Sequence, residues 1–233
     1  MSALTVYLKL YGDCFRKAAT AIGKNPWTLL LPSLVLFARA WAGQLAFSLG
    51  ILGGIVVTLA TAALFSSYLY FAGELVKGGR ISGRDLQRSF RAHLWPVVNV
   101  FFVVWIATLV LGLVVGENPS GAALLYALTI VAVVALNAVP EVIYLRESLA
   151  GTQTILVSWE FLKAQWIPWF AVNVPLLGAL TLIAAYAQVP IVGTVFLGAA
   201  LHVVMVFRGN LFQALDRTSH RQRMFLQRVG RQD

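Results

Sequence analysis

Residues 26–76 read PWTLLLPSLVLFARAWAGQLAFSLGILGGIVVTLATAALFSSYLYFAGELV, and this stretch decides the fold class. It contains only two charged residues, Arg39 and Glu74. About twenty apolar residues are needed to cross the roughly 30 Å hydrocarbon core of a bilayer as a helix. A run of about fifty residues is therefore too long for one transmembrane helix and fits two. The turn between them is expected in the glycine-rich segment 48–54.

Four further apolar runs follow the first pair. Pro96–Gly116 and the run from Ala122 to about Leu145 flank a tight turn at 117–121, whose residues are Glu, Asn, Pro, Ser and Gly. A last pair begins near Ile167, turns around 188–190 and returns through Gly193–Phe207. The sequence therefore predicts an all-α integral membrane protein. We expect six transmembrane helices as three hairpins, each preceded by an amphipathic interfacial helix.

The composition of the 233-residue chain agrees with this class. Hydrophobic residues make up 59% and charged residues 12%, about half the charged share of a soluble domain. The mean hydropathy is +0.79. A disordered chain, a disulfide scaffold and a nucleic-acid-binding domain are disfavoured, although the pI is near 10.1, because long uncharged runs separate the basic clusters. The single cysteine, Cys14, rules out an intramolecular disulfide.

The distribution of Lys and Arg predicts the orientation, because positive charge in short loops stays in the cytoplasm. With six spans and a cytoplasmic N-terminus, seventeen of the eighteen cations fall on the cytoplasmic side, and only Arg39 lies inside a span. An odd number of spans places one basic cluster outside. We therefore expect a multi-pass protein of the inner (plasma) membrane with both termini in the cytoplasm. The N-terminal residues lack the pattern of a signal peptide and are expected to remain in the mature protein.

Each predicted hairpin follows a charged segment that ends in Trp and Pro near the membrane border. Trp95–Asn99 and Trp169–Asn173 share the pattern Trp-x-x-Val-Asn. This predicts pseudo-repeats at about 1–77, 78–147 and 148–215 in one membrane domain, 1–233, with a basic cytoplasmic tail at 216–233. The tryptophan match alone has a second explanation, since Trp is favoured at headgroup level in any membrane protein.

The charged segments carry the first group of candidate functional residues. In residues 4–24, apolar side chains recur at helical spacing and basic ones fall on the opposite face. Basic residues beside aromatic ones favour an anionic leaflet. The alternative is that these cations only set the topology. The candidate surface for anionic lipid headgroups or a protein partner consists of Lys9, Arg16, Lys17, Arg84, Arg88, Arg91, Arg221 and Arg223.

Polar residues inside the spans form the second group. Ionisable side chains are costly in the bilayer and are functional candidates by default. The possible intramembrane polar site consists of Arg39, Glu74, Asn137, Glu141 and His202. One interpretation is that Arg39 and the two glutamates reach the membrane borders. The other is a polar cavity lined by Arg39 and Glu141, with Pro140 kinking the fourth span. Asn137 and His202 also suit hydrogen bonds between helices.

Motifs for catalysis and metal binding are missing from the sequence. The three histidines lie in different segments, and neither HExxH, GxSxG nor a P-loop occurs. Gly78–Gly79 fits a helix end better than a phosphate-binding loop. We therefore expect no catalytic residue, no metal site and no cofactor.

Several segments resemble a broad class of bacterial six-helix proteins. They are Ser89–Asn99, Ser158–Asn173 and the exit from the last helix, Arg208–Phe212. The class includes the membrane domain found ahead of some glycerophosphodiester phosphodiesterases and related uncharacterised families. The resemblance implies a membrane module that works beside another component. It does not imply the phosphodiesterase activity, because this chain has no room for the catalytic barrel.

Three functions fit these observations. The first is a non-catalytic accessory or scaffold protein whose basic cytoplasmic helices bind lipid headgroups or a protein partner. The second is a transporter or permease for a small or lipidic solute, although the repeats are parallel and no broken half-helices are evident. An intramembrane enzyme is the third and least favoured. The sequence leaves the oligomeric state open and gives no sign of a nucleic-acid partner.

Overall fold

The structure is a computed structural model that describes residues 3–46, 50–115, 119–146, 151–186 and 190–229. Helix accounts for 94% of these residues, which contain no strand, so the all-α class is confirmed. The α-helices are α1 (Ala3–Lys24), α2 (Leu31–Ala46), α3 (Gly50–Val76), α4 (Gly83–Ala92), α5 (Leu94–Val115), α6 (Pro119–Ala135), α7 (Val139–Leu145), α8 (Gly151–Tyr186) and α9 (Pro190–Val229). A short 3-10 helix, Pro26–Leu30, joins α1 to α2.

Six segments are long and apolar enough to cross a membrane, as the sequence predicts. They are Pro26–Ala46, Leu52–Val76, Asp85–Leu113, Ala123–Leu145, Gly151–Ala185 and Ile191–Arg217. Their order matches the predicted spans, whereas three bounds differ by ten residues or more. The third segment begins at Asp85 instead of Pro96, the fifth begins at Gly151 instead of near Ile167, and the last ends at Arg217 instead of Phe207. The hairpin arrangement and the interfacial position of the charged helices stay predictions.

The last span differs from its expected form. The sequence predicts a short span that ends at Phe207, followed by a separate basic tail. In the structure, α9 continues without interruption through Arg208 to Val229. The first part of the predicted tail therefore extends the last helix, and the side chains of Arg221 and Arg223 lie outside those described.

The chain divides into two compact units, each built from separate stretches of sequence. Unit 1 contains Met1–Phe37, Phe71–Ser82 and Lys163–Asp233, and unit 2 contains Ala38–Tyr70 and Gly83–Leu162. The boundaries fall inside α2, α3 and α8, at positions other than the borders of the predicted repeats. The repeat therefore stays a prediction.

In unit 1, α1 packs against α9 through a stripe of small and apolar side chains. Cys14, Ala18 and Ile22 follow one another at four-residue spacing and are buried. Asn25 ends the helix, and Pro26 then starts the 3-10 turn at a position where its missing N–H costs nothing. The stripe therefore fixes which face of α1 is left exposed.

The end of α3 is a glycine cap. Gly78 has a φ of +79°, and its N–H donates to the carbonyl of Leu75, while the N–H of Gly79 donates to the carbonyl of Glu74. These bonds form a Schellman motif, which favours glycine because of the left-handed backbone. The prediction that Gly78–Gly79 marks a helix end is confirmed.

In unit 2, α4 and α6 each pack against α5. The rings of Phe65 and Phe101 stack at 6.2 Å between centroids. Gly151 begins α8 so close to α5 that a Cβ on it would overlap Cβ of Asn99. This close approach requires glycine at the first residue of α8.

The fourth candidate span is broken. Residues 136–138 form a turn between α6 and α7, and Pro140 lies in the first turn of α7. Proline has no N–H to donate, and its ring clashes with the carbonyl four residues earlier, here that of Leu136. The sequence offers a kink at Pro140 as one interpretation; the structure has a non-helical turn between two helices instead, so a broken helix that is not evident in the sequence is present here.

A second interruption lies in α8 at Gln165, whose φ of −131° and ψ of 24° are not helical. Pro168 follows three residues later and disturbs the carbonyl of Ala164 in the same way. The kink falls between the charged segment that contains Trp159 and the apolar run from Ile167 onward. This is where the sequence predicts the change from surface helix to span.

Candidate functional site

The exposed face of α1 carries the first candidate surface. Opposite the buried stripe lie the exposed side chains of Lys9, Arg16, Lys17 and Lys24. Arg16 pairs with Asp13 at 3.2 Å, both side chains being accessible to solvent. Exposed ion pairs of this kind are weak, so Arg16 can readily exchange Asp13 for another anion. Three of the predicted lipid-binding cations therefore share this face.

Between the buried stripe and the basic face, α1 exposes large apolar side chains. Leu8 is 61% exposed and Phe15 is 57% exposed. At 100° per residue both positions lie about a quarter turn or more from Cys14, on the side that leads to Arg16. Exposed apolar residues that border a cationic face are typical of helices at a membrane surface.

A cleft of about 330 Å³ opens beside this apolar flank, within unit 1. Tyr11, Gly12 and Phe15 form its α1 wall, and valine, leucine and phenylalanine side chains of α8 and α9 form the rest. Its volume lies at the lower end of the range of about 300–1,000 Å³ found for small-molecule sites. The walls are apolar, so the cleft suits a hydrocarbon group.

One hydrogen bond fixes α1 beside the cleft. The hydroxyl of Tyr11 donates to the carbonyl of Pro168 at 2.8 Å, which ties α1 to the start of the apolar part of α8. Burial raises the pKa of Tyr11 above its ordinary value of 10.0, and the neighbouring Tyr7 adds to this. The hydroxyl therefore stays protonated at neutral pH and keeps its donor.

Cys14 is packed behind the same helix. Burial raises the pKa of its thiol; Lys17 lowers it in part and Asp13 raises it further. The thiol is the unreactive form, so a buried and protonated Cys14 acts as a small apolar residue.

The second candidate surface is α4, which exposes Arg88 and Arg91. The side chain of Arg84 lies outside those described. Three buried serines hold this helix: Ser67 and Ser89 share a hydroxyl hydrogen bond of 2.6 Å, and Ser66 donates to the carbonyl of Ser89 at 3.3 Å. The N–H of His93 also donates to the Ser66 hydroxyl at 3.1 Å.

These serines were not among the predicted site residues. Their signal in the sequence is a Ser-Ser pair inside an otherwise apolar helix, with a third serine in the following amphipathic segment. These serines hold α4 in unit 2, in a position where the side chains of Arg88 and Arg91 are exposed.

The intramembrane candidates lie in different surroundings. Arg39 is exposed on α2, whereas Glu141 on α7 is fully buried, at 0% exposure. Asn137 is half-buried in the turn that breaks the fourth span. Glu74 is half-buried near the end of α3 and pairs with Lys77 at 3.5 Å, which fits its predicted place near a membrane border.

His202 joins two helices of unit 1. Its Nε2 lies 3.1 Å from the hydroxyl of Thr28, which itself donates to the carbonyl of Asn25 at 2.7 Å. The Thr28 oxygen therefore accepts from Nε2–H. Ser33 donates to the carbonyl of Thr194 at 3.2 Å, and a Cβ on Gly198 would overlap its hydroxyl oxygen. These contacts support the packing role for His202.

A scan of protein-family models, a search of curated proteins and a search of solved structures each found no match to this chain. The resemblance to the six-helix membrane domains therefore stays a prediction, and the assignment of function rests on the surfaces described above.

Proposed function

We propose that the protein is a non-catalytic integral membrane protein of the inner membrane that acts as an accessory or scaffold by binding anionic lipid headgroups. The observation that carries this proposal is the surface of α1, where exposed Lys9, Arg16, Lys17 and Lys24 adjoin exposed Leu8 and Phe15. A helix with these two faces lies in the membrane interface, with its cations among the headgroups.

Two hydrogen bonds support the topology that this proposal needs. The side chain of Asn25 accepts from the N–H of Ile81 at 3.3 Å, and two candidate spans separate these residues. Tyr11 and Pro168 are also bonded; four complete candidate spans lie between them, and Pro168 lies within the fifth, just after its kink at Gln165. Two residues that contact each other at a membrane border lie on the same side of the membrane. The chain between them must then cross the membrane an even number of times, as it does in a hairpin arrangement. The excess of cations supports the cytoplasmic side.

The expected contribution of charge is large enough to select lipids. Each cation near an anionic leaflet contributes about 1 kcal/mol, and salt weakens the attraction beyond a Debye length of about 10 Å. Four exposed cations on α1, partly offset by Asp13, are therefore expected to enrich anionic lipid by at least about tenfold at low salt. Arg88 and Arg91 on α4 add a second surface.

The test compares lipids retained by the purified protein. Protein is exchanged into mixed micelles with equal amounts of phosphatidylglycerol and phosphatidylcholine, and bound lipids are counted by native mass spectrometry. The variant Lys9→Gln, Arg16→Gln, Lys17→Gln, Lys24→Gln is expected to lose most of its preference for phosphatidylglycerol.

A matched control variant removes the same number of positive charges from residues outside α1. Arg39, Arg80, Lys163 and Arg217 are exposed and lie outside α1, so replacing all four with Gln is expected to leave most of the preference intact. An equal loss in both variants, or no loss in the α1 variant, contradicts the proposal. Loss of a co-purifying protein with lipid preference unchanged favours a protein partner as the ligand of α1.

One observation favours the second candidate, a transporter for a lipidic solute. Broken helices mark substrate sites in many transporters, and the fourth span is broken at 136–138 with Asn137 in the turn. An apolar cleft of about 380 Å³ in unit 2 is lined in part by Leu136, Val139 and Pro140. Reconstituted vesicles with fluorescent phosphatidylglycerol test this function. Transbilayer movement that Asn137→Ala abolishes supports transport, and movement no faster than in protein-free vesicles counts against it.

A further inference from the structure

The cleft beside α1 is lined by apolar side chains, which a headgroup alone does not explain. Val172 of α8 and Val204 of α9 face Tyr11 and Phe15 across it, and both spans are apolar here. The described wall follows α9 from Val203 to Phe207, which is about 6 Å of helix. An apolar cleft beside a candidate membrane span suits part of a hydrocarbon chain.

Gly12 lines the cleft on the side of α1. An ideal Cβ on this residue meets no atom within 4 Å, so there is space beside it for the first atom of a side chain. Glycine is also the second-worst helix former, by about 1 kcal/mol relative to alanine. Glycine in the middle of this 22-residue helix therefore lowers helix stability, and it leaves the space beside it unfilled.

Two cations of α1 lie on the helix face of Gly12, a residue that lines the cleft. Lys9 precedes Gly12 by three residues and Arg16 follows it by four, so both lie on the same helix face as Gly12. Both are exposed. Asp13 is the acidic residue of α1; it lies within the basic face and pairs with Arg16, and the four cations leave this face with a net positive charge. The charge on this face is therefore complementary to an anionic group held above an apolar cleft.

We propose that this cleft holds one acyl chain of an anionic phospholipid, whose phosphate is bound by Lys9 and Arg16. The inference rests on the proposed function and deepens it, because it names a bound lipid molecule and its position. Tyr11 closes one side of the cleft through its bond to Pro168. The combination of an apolar cleft with neighbouring cations fits a phospholipid better than it fits a second copy of the chain or a partner helix.

The test uses phosphatidylglycerol with a photoreactive diazirine in one acyl chain, incorporated at low mole fraction into phosphatidylcholine nanodiscs that contain the full-length protein. After irradiation, cross-linked peptides are mapped by mass spectrometry. The expected label falls on the segments around Val172 and Val204, and unlabelled phosphatidylglycerol competes with it better than phosphatidylcholine does, by at least about tenfold.

Gly12→Leu fills the cleft and is expected to reduce labelling of these segments at least fivefold while leaving the protein folded. Gly23→Leu is the matched control, since Gly23 lies on α1, lacks any atom within 4 Å of an ideal Cβ and does not line the cleft. It is expected to leave the labelling unchanged. Unfolding temperatures of both variants, measured in the same nanodiscs, keep the comparison valid.

The outcomes separate the two proposals. Labelling spread evenly over all lipid-facing helices, or unchanged by Gly12→Leu, overturns the acyl-chain site, even if the α1 cations still select anionic lipid. Labelling confined to the cleft but equally well competed by phosphatidylcholine keeps the chain site and overturns the headgroup assignment. A cross-link to a second protein chain through this cleft also overturns the proposal.

Discussion

Two copies of one sequence pattern, Trp95–Asn99 and Trp169–Asn173, occupy opposite environments. Trp95 is 69% exposed and Asn99 is exposed, whereas Trp169 is 0% exposed and Asn173 is buried. The first copy behaves as a tryptophan at headgroup level is expected to behave. The second is part of the core of unit 1. A shared pattern therefore does not fix a shared role in this protein.

The difference comes from the residues that surround the second copy. The guanidinium carbon of Arg208 lies 5.1 Å from the centre of the Trp169 ring, and Phe212 meets the ring edge-on at 6.3 Å. Asn173 donates to the carbonyl of Trp169 at 2.7 Å. A desolvated cation over an indole face and an edge-to-face aromatic pair are both favourable. Trp169 is therefore held by α9, whereas the exposed Trp95 is free to meet the membrane border.

The largest expected effect is a difference between the two tryptophans. Trp169→Ala leaves a large cavity and is expected to lower the free energy of unfolding by about 3–5 kcal/mol. Trp95→Ala is expected to cost less than about 1 kcal/mol, because the side chain is mostly exposed. Denaturant unfolding in the same detergent measures both. Similar losses in the two variants contradict the assignment of Trp169 to a core and Trp95 to a surface.

The next effect tests the close approach at the exposed copy. Gly151→Ala places a Cβ against Asn99 and is expected to destabilise the protein by about 1–3 kcal/mol. Adding Asn99→Gly is expected to recover part of that loss, as a double-mutant cycle measures. Gly178→Ala is the control, because nothing lies within 4 Å of its ideal Cβ. If Gly151→Ala leaves the free energy of unfolding unchanged, α5 and α8 are further apart at this point than the structure shows.

A smaller effect concerns the cation over the buried ring. Arg208→Gln is expected to lower the free energy of unfolding by about 1–2 kcal/mol, because a desolvated cation–π contact is lost. Arg88→Gln on the exposed face of α4 is expected to change it by less than about 0.5 kcal/mol. Tryptophan fluorescence adds a second readout, since the Trp169 emission is expected to shift only in the first variant. Equal effects on stability contradict the contact.

The smallest effect is a change in the free energy of unfolding with pH, which arises from Cys14 on the buried face of α1. The raised thiol pKa of Cys14 means that the unfolded chain loses this proton first as the pH rises through 9.0, so stability falls above that pH. The size of this loss depends on the difference between the thiol pKa values of the folded and unfolded chain, at about 1.4 kcal/mol for each pKa unit. Unfolding of the wild-type protein and Cys14→Ala is compared from pH 8 to 10, about the ordinary thiol pKa. A slope that persists unchanged in Cys14→Ala refutes this origin.

The sequence predicts the six spans well because their signal is local. A run such as residues 26–76 carries enough apolar residues to identify two helices without knowledge of their neighbours. The end of α3 at Gly78–Gly79 and the disturbance near Pro140 are also local, because each follows from the backbone of one residue type. The position of the turn before Pro140 was less accessible, since a kink and a break share the same sequence signal.

Features that depend on distant partners were not accessible from the sequence. The burial of Trp169 depends on Arg208 and Phe212, and the anchoring of α4 depends on Ser66 and Ser67, more than twenty residues earlier. For the candidate surface, helical spacing predicted the basic face of α1, but not the cleft beside it. A cleft needs a second and a third helix, and nothing in residues 4–24 specifies which helices those are.

The bond between His202 and Thr28 has a consequence for biosynthesis, because it joins residues 174 positions apart. At about 5–20 residues per second, the ribosome needs about 10–35 s to make the intervening chain. During that time Thr28 and Ser33 have been synthesised, but their partners on α9 have not. The contacts of the first candidate span therefore form only after α9 has been synthesised, and unit 1 is completed at that point. A chain that stops before α9 leaves Thr28 and Ser33 without these partners.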